Sequence, residues 1–124
     1  MDVGRPFPGR VLIVDDDQYL LRTLVRLVER AGYHVESCTG YHSAKTLLTN
    51  HPPDVLIADV RLGKFNGLQL VARAKLARPQ IAAIVLTGFD DPVMRDQACS
   101  MGATYLVKPV TGDRLLETIG RGTA

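Results

Sequence analysis

Short apolar runs alternate with longer amphipathic stretches from residue 10 to residue 121. "RVLIV" (10–14) is continuously apolar after its arginine, as a strand covered on both faces should be. Leu20, Leu21, Leu24, Leu27 and Val28 then recur at helical spacing, and Gly32 stands where a glycine ends such a helix. "YHVESC" (33–38) alternates apolar with polar residues, which predicts a half-covered or edge strand. A short helix over 41–50 turns Ala44, Leu47 and Leu48 inward and stops before Pro52 and Pro53. "DVLIAD" (54–59) predicts a buried strand, and 67–77 a helix carrying Leu68, Leu70, Val71 and Ala74. "IAAIVLT" (81–87) is another buried strand. Asp91 as N-cap and Pro92 at the first helical position open the next helix. "TYLVK" (104–108) and "TGDRLLETIGR" (111–121) supply the last strand and helix.

Five strand–helix units of this size predict an α/β fold, a parallel sheet with helices on both faces, and right-handed crossovers leave few ways to wind it. The 124 residues suffice for one domain. Its boundaries are read as a loose arm over 1–9, a domain over 10–121 and a short tail over 122–124. Composition changes this picture little. Hydrophobic residues make up 46% and charged residues 23%, and fifteen Lys+Arg against thirteen Asp+Glu give a net charge of +2. That balance argues against a nucleic-acid surface. Apolar runs all fall short of a membrane span, and "MDVGRPFPGR" lacks the apolar stretch of a signal peptide. Cys38 and Cys99 fit neither metal spacing nor a disulfide framework. The expectation is a reduced, cytoplasmic protein.

In doubly wound sheets, ligands bind at the carboxyl ends of the strands. Here those ends carry Asp15 and Asp16 after strand one, Asp59 after strand three, Thr87 on strand four, and Lys108 before Pro109 on strand five. Singly, each has an ordinary explanation as a cap or strand residue. Together they place three carboxylates, a hydroxyl and an ammonium on one edge. Two carboxylates about 4 Å apart repel by about 1 kcal/mol in water and about 4 kcal/mol at an effective dielectric of 20. Lys108 offsets one charge, and a divalent cation would balance the rest. All-oxygen ligation favours Mg²⁺, Mn²⁺ or Ca²⁺ over zinc; the spacing fits no EF-hand loop, and Mg²⁺ shares itself with phosphate. The pattern predicts a place that receives a phosphoryl group.

The chain resembles the response-regulator receiver domains of two-component signalling. The resemblance lies in "VLIVDDD" (11–17), "DVLIADVRLGKFNGLQL" (54–70), "IVLTG" (84–88) and "GATYLVKPV" (102–110), in that order. It implies a flavodoxin-like, doubly wound five-stranded parallel sheet, order 2-1-3-4-5 counting along the chain, flanked by five helices. It implies that Asp59 is the phosphoacceptor, that Asp16 ligates Mg²⁺ directly, and that Asp15 acts through a metal-bound water. Arg61 would ligate through its backbone carbonyl, Lys108 would stabilise the phosphoryl group, and Thr87 and Tyr105 would form the switch. The expected partners are a sensor histidine kinase or phosphotransfer protein, an output domain or partner protein outside this chain, and a second copy in a phosphorylation-dependent homodimer. The domain would assist its own phosphorylation and dephosphorylation without being an enzyme in the usual sense.

Two departures stand out. Gly63 replaces the proline frequent in "RLGKFNG", so a more mobile loop is expected there. Phe89 follows Gly88 beside the site and reads either as a packed loop residue or as a shield for an acyl phosphate. Asp17 is assigned to the helix start, and Asp54, Asp90 and Asp91 to caps and turns. His34, His42 and His51 lack ligand spacing. Tyr19 and Tyr41 read as surface helix positions, and Cys99 and Met101 as packing residues. Two other readings compete: an Asp-nucleophile, Mg-dependent phosphatase of the haloacid-dehalogenase type, and a receiver-like scaffold that binds partners without phosphorylation. The adjacency of Asp15 and Asp16 departs from the Asp-x-Asp motif of the former. The intact residue set argues against the latter.

Overall fold

The computed structural model describes residues 9–123. Apart from Gly9, the expected N-terminal arm lies outside the described residues, as does Ala124. The chain runs β1 (Arg10–Val14), α1 (Gln18–Arg30), β2 (His34–Cys38), α2 (Tyr41–Asn50), β3 (Val55–Asp59), β4 (Arg61–Leu62), β5 (Phe65–Asn66), α3 (Gly67–Ala77), β6 (Ala82–Thr87), α4 (Pro92–Ser100), β7 (Ala103–Val107) and α5 (Gly112–Thr123). Five of the strands form one parallel sheet in the order β2-β1-β3-β6-β7, and β4 and β5 form a separate antiparallel hairpin. Counted without the hairpin, the order is the expected 2-1-3-4-5. The alternating β2 is indeed an edge strand.

Burial follows from the period of two along each strand. Val11 and Ile13 of β1, Val55 and Ile57 of β3 and Ile84 of β6 face α1 and α5. There they meet Leu21, Leu24, Val28, Leu115 and Ile119. Leu12, Leu56, Ala58, Ala83 and Val85 face the other way, against Ala44, Leu48, Leu70, Val71, Ala74 and Ala98. Both faces of the central strands are therefore dry, which explains why β1 and β3 read as unbroken apolar runs.

The starts of α1, α3 and α4 are set by short polar side chains. Asp17 Oδ1 accepts from the Leu20 N–H, and Asp91 Oδ1 accepts from the Val93 and Met94 N–H groups. Asn66 and Gln69 form a reciprocal capping box at α3. Gly32, with φ 100°, ends α1 as expected. The last helix extends to Thr123, two residues past its expected end.

The hairpin was not foreseen, because two-residue strands carry no readable period. Gly63, with φ 63°, takes the first position of its two-residue turn, where a left-handed φ is needed. Gly63 thus supplies the backbone conformation with which this turn closes. Behind the hairpin, Gly67 donates its N–H to the Val60 carbonyl at 2.7 Å. A Cβ at Gly67 would collide with the backbone carbonyl of Asp59.

Gly67→Ala should cost about 1–3 kcal/mol in denaturant titration, as overpacking against fixed backbone does. Gly88→Ala, whose methyl would meet nothing within 4 Å, should stay within about 0.5 kcal/mol of wild type. Equal stability of the two variants would refute the close approach at Gly67.

Candidate functional site

β1 and β3 are hydrogen-bonded neighbours, Val14 opposite Ala58, so the residues that follow them emerge side by side. Adjacent strands lie about 4.8 Å apart, and carboxylates placed at both ends cannot avoid each other. One ligand atom each from Asp15, Asp16 and Asp59 can be chosen so that all lie within 4.8 Å of one another. Asp15 is 1% exposed and Asp59 8%, whereas Asp16 faces solvent.

Compensation comes from two strands away. Lys108 follows β7, and its side chain reaches past the end of β6. Its Nζ lies 3.3 Å from Asp15 Oδ2 and 3.4 Å from Asp59 Oδ1. The Lys108–Pro109 peptide is cis. Asp15 Oδ1 also accepts from the Asp17 N–H at 2.9 Å. Burial pushes the Asp59 carboxyl above the ordinary carboxylate range; Lys108 opposes this, and Asp15 and Asp16 reinforce it. Three anionic groups thus share one ammonium. The donors are all oxygen, a set suited to a hard divalent cation.

Asp59, Arg61, Thr87, Gly88, Phe89 and Lys108 line a cavity of about 400 Å³ at this edge. Arg61 is exposed on β4. Thr87 is buried at the end of β6. Its Oγ1 donates to the Phe89 carbonyl at 3.1 Å and accepts from the Phe89 N–H at 3.2 Å. Tyr105 lies inward, and its hydroxyl reaches the same Phe89 carbonyl at 3.2 Å while accepting from the Asp91 N–H at 3.1 Å. The guanidinium of Arg95 sits 4.7 Å from the Tyr105 ring centroid and pairs with Asp90 at 2.7 Å. Two side chains on different strands thereby share one carbonyl in the loop before α4.

A profile of the response regulator receiver domain matches residues 11–120. The chain belongs to this family. As a receiver, it is 34% identical over 93% of its length to the alginate biosynthesis transcriptional regulatory protein AlgB of Pseudomonas putida, of which it spans only 26%. A CheY-like receiver domain protein from Methanospirillum hungatei superimposes with a TM-score of 0.87 at 30% identity, covering 92% of each chain. A Burkholderia pseudomallei response regulator, solved with a phosphorylated aspartic acid, a calcium ion and citrate, gives 0.84 at 30% identity over 92% of this chain and 68% of that one.

The seven residues singled out from the receiver's sequence converge unevenly. Asp15, Asp16, Asp59 and Lys108 meet directly, Arg61 and Thr87 border their cavity, and Tyr105 connects through Phe89. Other readings change. Tyr41, expected on the surface, is 8% exposed because its ring stacks on Phe65 of the hairpin. Cys99, expected to pack, is exposed on α4. Phe89 is 67% exposed rather than packed in its loop. Gly67 and Phe65 went unremarked. A glycine directly after a polar cap residue was the available sign for the first.

Because its pKa is raised, folded Asp59 binds its proton more tightly than the unfolded chain does. The resulting destabilisation is complete above the folded pKa and absent below the unfolded one. In metal-free buffer near neutral pH, Asp59→Asn, which removes the buried charge, should therefore raise stability. The gain should fade as pH falls through the carboxylate range. Thermal unfolding in chelator across pH measures it, and a loss of stability at neutral pH would contradict the electrostatic account.

Proposed function

We propose that this receiver is a phosphoacceptor switch. Asp59 takes a phosphoryl group from a sensor histidine kinase or phosphotransfer protein, and the surface formed by α4, β7 and α5 then controls an output domain or partner protein. One observation carries the reading: three carboxylates meet within 4.8 Å while one lysine bridges the two buried ones. That excess of negative charge fits Mg²⁺, or Mn²⁺ in its place. Asp16 and Asp59 would ligate directly, Asp15 through a water, and Arg61 through its backbone carbonyl. The bound cation would neutralise charge on the phosphoryl oxygens. The phosphorylated aspartic acid and calcium ion of the Burkholderia pseudomallei relative support this choice.

In the transfer, an Asp59 carboxylate oxygen attacks phosphorus. The O–P bond forms as the P–N bond to the donor imidazole breaks, and the imidazole takes up a proton. Phosphoryl transfer asks chiefly for positioning and for stabilisation of charge on the equatorial oxygens. Lys108 Nζ stands between Asp15 and Asp59 to supply the latter. A groove of about 400 Å³ lined by Leu20, Leu24, Leu86, Pro109 and Val110 opens beside Lys108. It offers the phosphodonor protein an apolar foothold next to the acceptor.

The phosphoryl group would then compete with the Phe89 carbonyl for the Thr87 hydroxyl. Withdrawal of Thr87 leaves that carbonyl to Tyr105 alone and shifts the loop that begins α4. This is a local charge change biasing a two-state element. The same surface would carry phosphorylation-dependent homodimerisation. AlgB, a transcriptional regulatory protein of which this chain spans 26%, supports an output outside the receiver itself. A domain of net charge +2 is not built to bind nucleic acid directly. Among the described residues, no helix is long and apolar enough to cross a membrane, and we place the protein in the cytoplasm with its kinase partner.

Acetyl phosphate and Mg²⁺ should add the mass of one phosphoryl group, localised to Asp59 and lost in Asp59→Ala. Unlabelled wild-type protein would reject the reading in favour of a phosphorylation-independent scaffold, and turnover of phosphate esters would favour a phosphatase. Thr87→Ala should still be labelled, at a several-fold lower rate. Its α4 amides should show the same hydrogen exchange before and after labelling, whereas those of wild type change. A wild-type-like response in the variant would remove Thr87 from the coupling route.

A further inference from the structure

The hairpin after Asp59 has two residues per strand, far below what holds a hairpin together in water. Something else must hold it. The Phe65 ring stacks on Tyr41 at 4.2 Å between centroids and 11° between planes. His42 meets both rings edge-on, at 5.1 Å and 5.5 Å. Tyr41 is the first residue of α2, and its hydroxyl accepts from Arg73 Nε of α3 at 3.1 Å. One aromatic pair therefore ties the hairpin to α2 and, through the Tyr41 hydroxyl, to Arg73 in the middle of α3.

What the hairpin holds is the site. Arg61 pairs with Asn66 next to the stacked Phe65. Val60, between Asp59 and Arg61, is tied by its N–H to the Leu86 carbonyl at 2.8 Å and by its carbonyl to the Gly67 N–H at 2.7 Å. Asp16 lines the same groove of about 320 Å³ as Tyr41, Leu62, Lys64 and Phe65. With Gly63 at its turn, the loop has no proline to stiffen it. Resting on the assignment of Asp16, Asp59 and Arg61 as the metal-binding set, we infer that Tyr41 and Phe65 are positioning residues. Their stack holds the Arg61 backbone in place for the cation, so that affinity for Mg²⁺ depends on an aromatic contact outside the ligand sphere.

The test measures Mg²⁺ affinity by calorimetry and hydrogen exchange at residues 60–66 in metal-free protein. Tyr41→Ala and Phe65→Ala should each weaken Mg²⁺ binding about two- to tenfold, the span an aromatic pair confers. Both should speed exchange in the hairpin. The double variant should be no weaker than the worse single one, because one contact is lost in each case. Phe65→Tyr, which keeps the stack, should bind like wild type. Phe65→Leu keeps apolar bulk without a ring, and serves if the alanine variants unfold; it should also bind more weakly. Lowered thermal stability with unchanged Mg²⁺ affinity in folded variants would reduce the stack to ordinary packing and overturn the inference. Wild-type protein that fails to bind Mg²⁺ would overturn the proposed function, and this inference with it. Normal wild-type binding separates the two failures.

Discussion

Everything at this site depends on the crowding of carboxylates at the ends of two neighbouring parallel strands. β1 and β3 are held side by side by their own hydrogen bonds, and both are sealed by helices on both faces. Asp15 and Asp59 therefore cannot splay apart without breaking the middle of the sheet. An isolated carboxylate pair would relax by moving or by taking a proton. Here the first option is closed by the sheet, and the second is opposed by Lys108, within 3.4 Å of both. The result is a site with residual negative charge in a fixed frame, and its oxygen donors suit a hard cation.

The same frame explains how a local charge change could reach a distant surface. Thr87 ends the strand next to β3, and Tyr105 lies on the strand after that. They do not act on one another through a void. They share the carbonyl of Phe89, in the loop that leads to the Asp91 cap of α4. In the proposed switch, an event that recruits the Thr87 hydroxyl would leave the Phe89 carbonyl to Tyr105 in one step. Arg95, anchored by Asp90 and lying over the Tyr105 ring, extends this connection onto the exposed face of α4.

Much of the frame was legible in the chain. The apolar runs of β1, β3 and β6 announced strands buried on both faces, and the alternation in 34–38 announced the edge strand. Asp17, Asp91 and Pro92 sat where helix starts need them. Legibility failed where a feature had no period. The hairpin at 61–66 is too short to alternate, so the turn that Gly63 makes left no pattern in the chain. Tyr41 looked like a surface residue because its burial depends on Phe65, 24 positions away.

The sequence alone therefore determined the succession of five strand–helix units, their parallel sheet and the identity of the groups at its carboxyl edge, while the strand order came from the family resemblance. The units follow from local propensity and from the periodicity of burial, which are properties of neighbours along the chain. Tertiary structure alone decided that Lys108 reaches past β6 to two aspartates, that Thr87 and Tyr105 meet on one carbonyl, and that Tyr41 stacks on the loop after Asp59. Each of these joins residues far apart in the chain, and distances between such residues exist only once the strands have paired.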